Sequence, residues 1–277
     1  MKIFDLLSEA QSKLTSPDAR IDSELLMEAI CGISRSQQYS RFDETLSEDQ
    51  VQRYQCALQR RISGEPIAYI IGSRGFWDID LNVTPDVLIP RPDTECLVEQ
   101  ALQRIPMGNC WQIADLGTGS GAIAIAIARE RPQCKITATD QSMSAIDIAR
   151  KNANMLGSEN ISFVVGSWGR PFSKGHFNML VSNPPYIRAD DPHLKQGDLL
   201  SEPEQALVSG PDGLKDIRQI VVDAQSLLVP GGWLLLEHGY DQATEIADFM
   251  RRASFTELFT RQDFGGNDRV TGGRWPG

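Results

Sequence analysis

Apolar residues recur at helical spacing through the first seventy residues. Ile3, Leu6, Leu7, Ala10 and Leu14 share one helical face. Ile21, Leu25, Leu26, Ala29 and Ile30 repeat the pattern, and Gly32 is placed to end that helix. Ser47-Glu48-Asp49-Gln50 has the form of a capping box, in which serine and glutamine satisfy each other's backbone N–H groups. It opens a helix with the apolar stripe Val51, Tyr54, Leu58 and Ile62, which Gly64 and Pro66 end. No alternating pattern precedes Ile67, so residues 1–73 are expected to form a small helical bundle.

Residues 74–89 change character. Phe76, Ile79, Leu81 and Val83 are strand-like, and a short hairpin is expected to join two domains and set the angle between them. Pro92 then favours the start of a helix burying Leu97, Val98, Ala101, Leu102 and Ile105. From Trp111 strands and helices alternate. The strand candidates are 112–116, 135–139, 161–165, 177–182 and 233–237, with helices starting near Gly121, Ser142, Leu214 and after Asp241. This spacing means βαβ units and a parallel sheet covered on both faces. Two final strand-like runs, 255–261 and 269–275, flank the turn DFGGND, so the sheet should end in an antiparallel hairpin. Residues 90–277 are therefore expected to be one α/β domain.

Composition narrows the function. Hydrophobic residues make up 41% of the 277, enough for a real core. Lys and Arg number 27 against 37 Asp and Glu, a net charge of −10. A protein tracking many phosphates would be basic, so stable direct nucleic-acid binding is not expected. No apolar run is long enough to span a membrane, and the amino terminus reads as an amphipathic helix and not as a signal peptide. Five widely spaced cysteines without a CxxC and three scattered histidines suggest neither a disulfide framework nor a metal site. A reduced, cytoplasmic, metal-free protein is expected.

Four constellations carry chemistry. Asp115-Leu116-Gly117-Thr118-Gly119-Ser120-Gly121-Ala122 follows a strand and opens a helix. Its glycines let a ligand approach main-chain N–H groups. By itself it suits either a dinucleotide or S-adenosylmethionine (AdoMet). Asp140 ends the next strand, at the usual distance for a carboxylate that holds both ribose hydroxyls of either cofactor. Trp168, after the third strand, could cover an adenine face. The fourth constellation decides between the cofactors: Ser182-Asn183-Pro184-Pro185-Tyr186, directly after the apolar strand FNMLV. Consecutive prolines stiffen this loop and leave carbonyls without local donors. Asn183 adds a side-chain acceptor and Tyr186 a flat face. Together they can hold a planar NH2 group by its two hydrogens, which suits methyl transfer to nitrogen and has no evident use in hydride transfer.

These residues resemble the PrmC/HemK family of AdoMet-dependent N-methyltransferases. The resemblance covers nearly the whole chain: the helical front end, GEPIAYIIG at 64–72, FW at 76–77, LIPRPDTE at 88–95, the glycine loop, Asp140, SNPPYI at 182–187, EP at 202–203 and LLLEHG at 234–239. One departure is Leu200-Ser201, where the family usually carries an arginine and an aromatic. The resemblance implies a Rossmann-like domain with a mostly parallel seven-stranded sheet. It implies an enzyme that methylates the side-chain amide of the glutamine in the Gly-Gly-Gln motif of peptide chain release factors. It also implies that Gly117, Thr118, Gly119, Ser120, Gly121, Asp140, Trp168 and Asn183 contact AdoMet. Asn183, Pro184, Pro185 and Tyr186 would hold the substrate amide, with Asn183, Pro184 and Tyr186 catalytic.

An amide nitrogen is a poor nucleophile, and the sulfonium is a strong electrophile, so alignment and a dry site are the main needs. No strong general base is evident near NPPY. The main rival reading is an amino-methyltransferase of adenine or guanine in DNA or RNA, which would share NPPY. Against it stand the acidic balance and a front end with more acidic than basic side chains. An NAD-dependent oxidoreductase leaves NPPY unexplained, and a silent AdoMet-binding scaffold would not need Asn183. Residues 1–73 hold no cofactor ligand and are expected to recognise the protein substrate.

Overall fold

A computed structural model describes residues 1–277. The chain forms two compact units. One comprises Met1–Ser73 together with the excursion His193–Ser201; the other comprises Arg74–Pro192 and Glu202–Gly277. No helix is long and apolar enough to cross a membrane.

The first unit holds α1 (Ile3–Lys13), α2 (Ala19–Cys31), α3 (Arg35–Ser40), α4 (Glu48–Ile62) and α5 (Ile67–Ile71). Ser47 and Gln50 form the expected capping box, and Gly32 ends α2 at φ 70°. Ser34 and Gln37 cap α3 in the same way. Ile3, Leu6, Leu26, Met27, Tyr54 and Leu58 make the core.

Two parts of the sequence expectation change here. Ile21, Leu25 and Ala29 are exposed, whereas Leu26 is buried as expected, beside Asp22, Ser23 and Met27. Polar partners choose the face: Asp22 accepts from Arg61 Nε at 2.8 Å, and the Ser23 carbonyl accepts from the Tyr54 hydroxyl at 3.1 Å. Ile62, at the end of the α4 stripe, is also exposed. Arg61 in turn donates to Asp198 at 2.8 Å, which ties the excursion to the bundle.

In the second unit β1 (Ser73–Phe76) and β2 (Ile79–Asn82) form the expected hairpin. After α6 (Glu95–Arg104) come β3 (Gln112–Leu116), α7 (Ala122–Glu130), β4 (Lys135–Asp140), α8 (Met143–Met155), β5 (Ile161–Val165) and β6 (Phe177–Ser182). α9 (Lys215–Leu227), β7 (Leu228–Glu237), α10 (Ala243–Arg252), β8 (Thr256–Gln262) and β9 (Asp268–Arg274) complete it. The sheet order is β5-β4-β3-β6-β7-β9-β8, parallel through β7 and antiparallel at β9 and β8, as expected.

Successive residues of each central strand enter opposite cores. Ile113, Met179, Val181 and Leu235 pack with α6, α7 and part of α8, whereas Ala114, Leu116, Leu180, Leu234 and Leu236 pack with α9 and α10. That explains the unbroken apolar runs, since a sheet covered on both faces needs no polar alternation. Strand β7 starts five residues earlier than the pattern predicts. Its Pro230-Gly231-Gly232 stretch lies at a register shift against β6, a bulge that reads as a breaker in sequence.

Candidate active site

The sheet order reverses between β3 and β6, since β3 is followed outward by β4 and β6 outward by β7. Loops leaving adjacent carboxyl ends there diverge and open a crevice, the usual ligand position in such sheets. The glycine loop leaves β3 and the NPPY loop leaves β6, so topology brings the two motifs together. The cavity between them encloses about 920 Å3 including its mouth, within the range of small-molecule sites.

Gly117, Thr118, Gly119, Ser120, Asp140, Trp168, Asn183 and Pro185 line this cavity. Gly121, Pro184 and Tyr186 are not on its wall. Gly117 and Gly119 adopt φ 77° and 54°, a left-handed backbone that favours glycine. A side chain on Gly117 would come within 2.9 Å of the Trp168 ring, so the indole lies over this glycine. Trp168 itself sits at φ 48°, with its Nε1 donating to Asp216 at 3.1 Å. Gly121 serves packing: it precedes α7 at φ 86°, and a Cβ there would lie 3.2 Å from that of Ala149 in α8.

Two acids stand behind the loop. Asp140 accepts from the backbone N–H groups of Gly119 and Ser142, at 3.0 and 2.9 Å. Burial nevertheless pushes its carboxyl up, against those hydrogen bonds. Asp115 is fully buried and accepts from Thr118 Oγ1 at 2.7 Å. Its Oδ1 has no partner, and burial raises its pKa to about 7.

The far wall was not foreseen from sequence. It comprises Asp86 to Leu88, Pro90, Arg91 and Thr94, with Pro203, Gln205 and Ala206. Arg91 Nη2 donates to the buried Glu202 at 2.6 Å, and the Ile89 N–H reaches the same carboxylate at 3.4 Å. The Arg91-Glu202 pair thus joins the IPRP segment to the loop after the excursion. Leu200, at the departure from the family pattern, is exposed. The signal was present in LIPRPDTE, where one arginine stands between two prolines.

At NPPY, Asn183 Nδ2 donates to Thr94 Oγ1 at 3.1 Å. Tyr186 is half-buried, and its backbone carbonyl accepts from Gln242 Nε2 at 2.9 Å. Burial raises its phenol well above the ordinary range. Glu237, at the end of β7, is buried with no hydrogen-bond partner for its Oε2, and burial raises its pKa to about 7.

The cavity's backbone cradle fits an adenosine-bearing cofactor. A Cβ on Gly119 would meet nothing within 4 Å, and Asp140 presents a carboxylate beside it.

Comparison with known proteins decides the family. The PrmC N-terminal domain model matches residues 5–72, and the methyltransferase small domain model matches residues 93–213. The release factor glutamine methyltransferase of Salmonella typhimurium is 46% identical over 270 residues, covering 97% of both chains. The chain belongs to the release factor glutamine methyltransferase family. The Escherichia coli member is 45% identical over 270 residues, again covering 97% of each chain. A methyltransferase of Pyrococcus furiosus, 18% identical, shares the fold with a TM-score of 0.54 over 78% of this chain and 96% of its own. Family membership makes the chain a methyltransferase and leaves the oxidoreductase reading without support.

Proposed function

We propose that the chain uses AdoMet to methylate the side-chain amide nitrogen of the glutamine in the Gly-Gly-Gln motif of peptide chain release factors. The observation that carries this reading is the meeting of the glycine loop and Asn183 in the lining of one cavity, in a chain 46% identical to a named family member along its length. The proposed substrate works with the ribosome, so the reading implies a cytoplasmic enzyme.

Backbone groups of Gly117 to Ser120 would hold the cofactor, with Asp140 on its ribose and Trp168 against its base. Bound there, AdoMet supplies an electrophilic methyl group. Asn183 Oδ1 and the Pro184 carbonyl would accept the two amide hydrogens and stabilise positive charge developing on the nitrogen. Tyr186 would pack on the amide plane. The stiff Pro184-Pro185 pair holds these acceptors with little entropy left to lose. The bundle, which contributes nothing to the cavity lining, would bind the body of the protein substrate.

The test is incubation with radiolabelled AdoMet and, separately, a release factor, its Gly-Gly-Gln to Gly-Gly-Asn variant, duplex DNA and structured RNA. Label should enter the intact factor alone. Label in nucleic acid and none in the factor would favour the amino-methyltransferase of bases.

A further inference from the structure

Trp168 stands in a backbone conformation that few large residues adopt. Its φ is 48°, in the left-handed region that favours glycine. A bulky residue persists there only where its surroundings hold it, and such positions concentrate at ligand sites. The hold here comes from α9. Asp223 Oδ2 accepts from the N–H of Gly169, the next residue, at 3.1 Å. Two turns earlier on the same helical face, Asp216 Oδ1 accepts from the indole Nε1–H at 3.1 Å. One acid thus grips the backbone beside Trp168, and the other grips its ring.

Asp216 is held in its turn. Its Oδ2 accepts from the Ser209 hydroxyl at 2.7 Å, and its backbone N–H donates back to Ser209 Oγ at 2.9 Å. Ser209 is buried, and its segment pairs with the residue that follows NPPY. The Ser209 N–H donates to the Ile187 carbonyl at 3.0 Å, and the Ile187 N–H donates to the Leu207 carbonyl at 2.9 Å. A carboxylate offers two acceptor oxygens and no donor, so Asp216 can receive the indole and the hydroxyl at once. Of these residues only Trp168 lines the cavity.

We propose that Asp216 is a positioning residue for the cofactor, fixing the Trp168 indole over Gly117 so that its face is in place before the base of AdoMet arrives. It acts through Trp168 and touches neither cofactor nor substrate. The proposal rests on the reading of Trp168 as the residue against that base. A ring already held has little freedom left to lose on binding, so anchoring it raises affinity. Asp216 also lies in the first turn of α9, where a negative charge suits the helix dipole. That role alone predicts a change in melting temperature. The positioning role predicts a change in AdoMet affinity that depends on the indole N–H.

The experiment measures calorimetric AdoMet affinity, melting temperature and turnover of intact release factor in full-length variants. Asp216→Ala should weaken AdoMet binding about fivefold or more. The KM for AdoMet should rise by a similar factor with kcat nearly unchanged, because a ring against the base serves ground and transition states alike. Asp216→Asn, which keeps a side-chain oxygen for the indole, should restore most of the affinity. Trp168→Phe keeps a flat ring and loses the N–H donor, so it should weaken binding by a similar factor. Added to it, Asp216→Ala should cost nothing further, because the bond it supplies is already gone. Wild-type affinity in Asp216→Ala, or losses that multiply in the double variant, would overturn the inference. So would wild-type affinity in Trp168→Phe, even if Asp216→Ala proves too unstable to measure. Unchanged affinity in Trp168→Ala would instead sink the placement of Trp168 against the base.

Discussion

Asp140 ends β4, Asp115 lies one residue before the end of the neighbouring β3, and the two do different work. Asp140 lines the cavity with both oxygens on backbone N–H groups, which fix its orientation. Asp140→Ala should weaken AdoMet binding by about 1.5–3 kcal/mol, the worth of a charge-assisted hydrogen bond, as read by calorimetry. Asp115 is sealed away, and burial raises its pKa from 3.8 to about 7. Between those values the folded chain keeps a proton that the unfolded chain has shed, so stability falls as pH rises through this window. Asp115→Asn removes that titration and still offers Thr118 an oxygen. Its melting temperature should decline less than the wild type's from about pH 4 to about pH 7. A parallel decline would show that Asp115 keeps an ordinary pKa. Residues such as Asp140 and Asn183 were legible in sequence because each sits in a local pattern. Thr94 was not: it lies in a motif noted for resemblance, and only the folded chain brings its hydroxyl to the Asn183 amide.

At the scale of elements, the loops depend on a few backbone positions more than on side chains. The sequence predicted the strand–helix alternation well because double-sided burial makes each strand an apolar run. It misread the face of α2, since apolar spacing alone could not weigh a partner such as Arg61, distant in sequence. It also started β7 at residue 233, five residues late, because the bulge near Pro230 interrupts the apolar run. Gly213, which no pattern singled out, has φ 74°, and a Cβ there would lie 2.2 Å from the Tyr186 carbonyl oxygen. That carbonyl is the one Gln242 holds. Gly213→Ala must therefore move the NPPY loop or adopt a strained backbone, at about 1–3 kcal/mol. The variant should lose turnover more than AdoMet affinity, because Gly213 and Tyr186 do not line the cavity. Equal loss of both, with a collapsed melting temperature, would mean that it disturbs the whole fold.

At the scale of the molecule, the cavity lining comes wholly from the unit of residues 74–192 and 202–277. The other unit has its own core of Ile3, Leu6, Leu26, Met27, Tyr54 and Leu58. Apolar spacing anticipated the helical front. It gave no hint that His193–Ser201 leaves the catalytic unit to join the bundle, because that contact depends on Asp198 meeting Arg61 far away in sequence. Removing residues 1–73 alone would leave Asp198 without its cation and the excursion without its packing. The informative variant begins at Arg74 and also replaces residues 193–201 with a short glycine-serine linker. With every lining residue retained, it should bind AdoMet within about threefold of the full chain, a difference under 1 kcal/mol. A short free peptide containing Gly-Gly-Gln should be methylated at a similar rate by both, since Asn183 and Pro184, the proposed amide acceptors, are intact. Intact release factor should be methylated about tenfold or more slowly, because binding energy from the substrate's body is lost. Equal rates on the intact factor would show that the bundle takes no part in recognition.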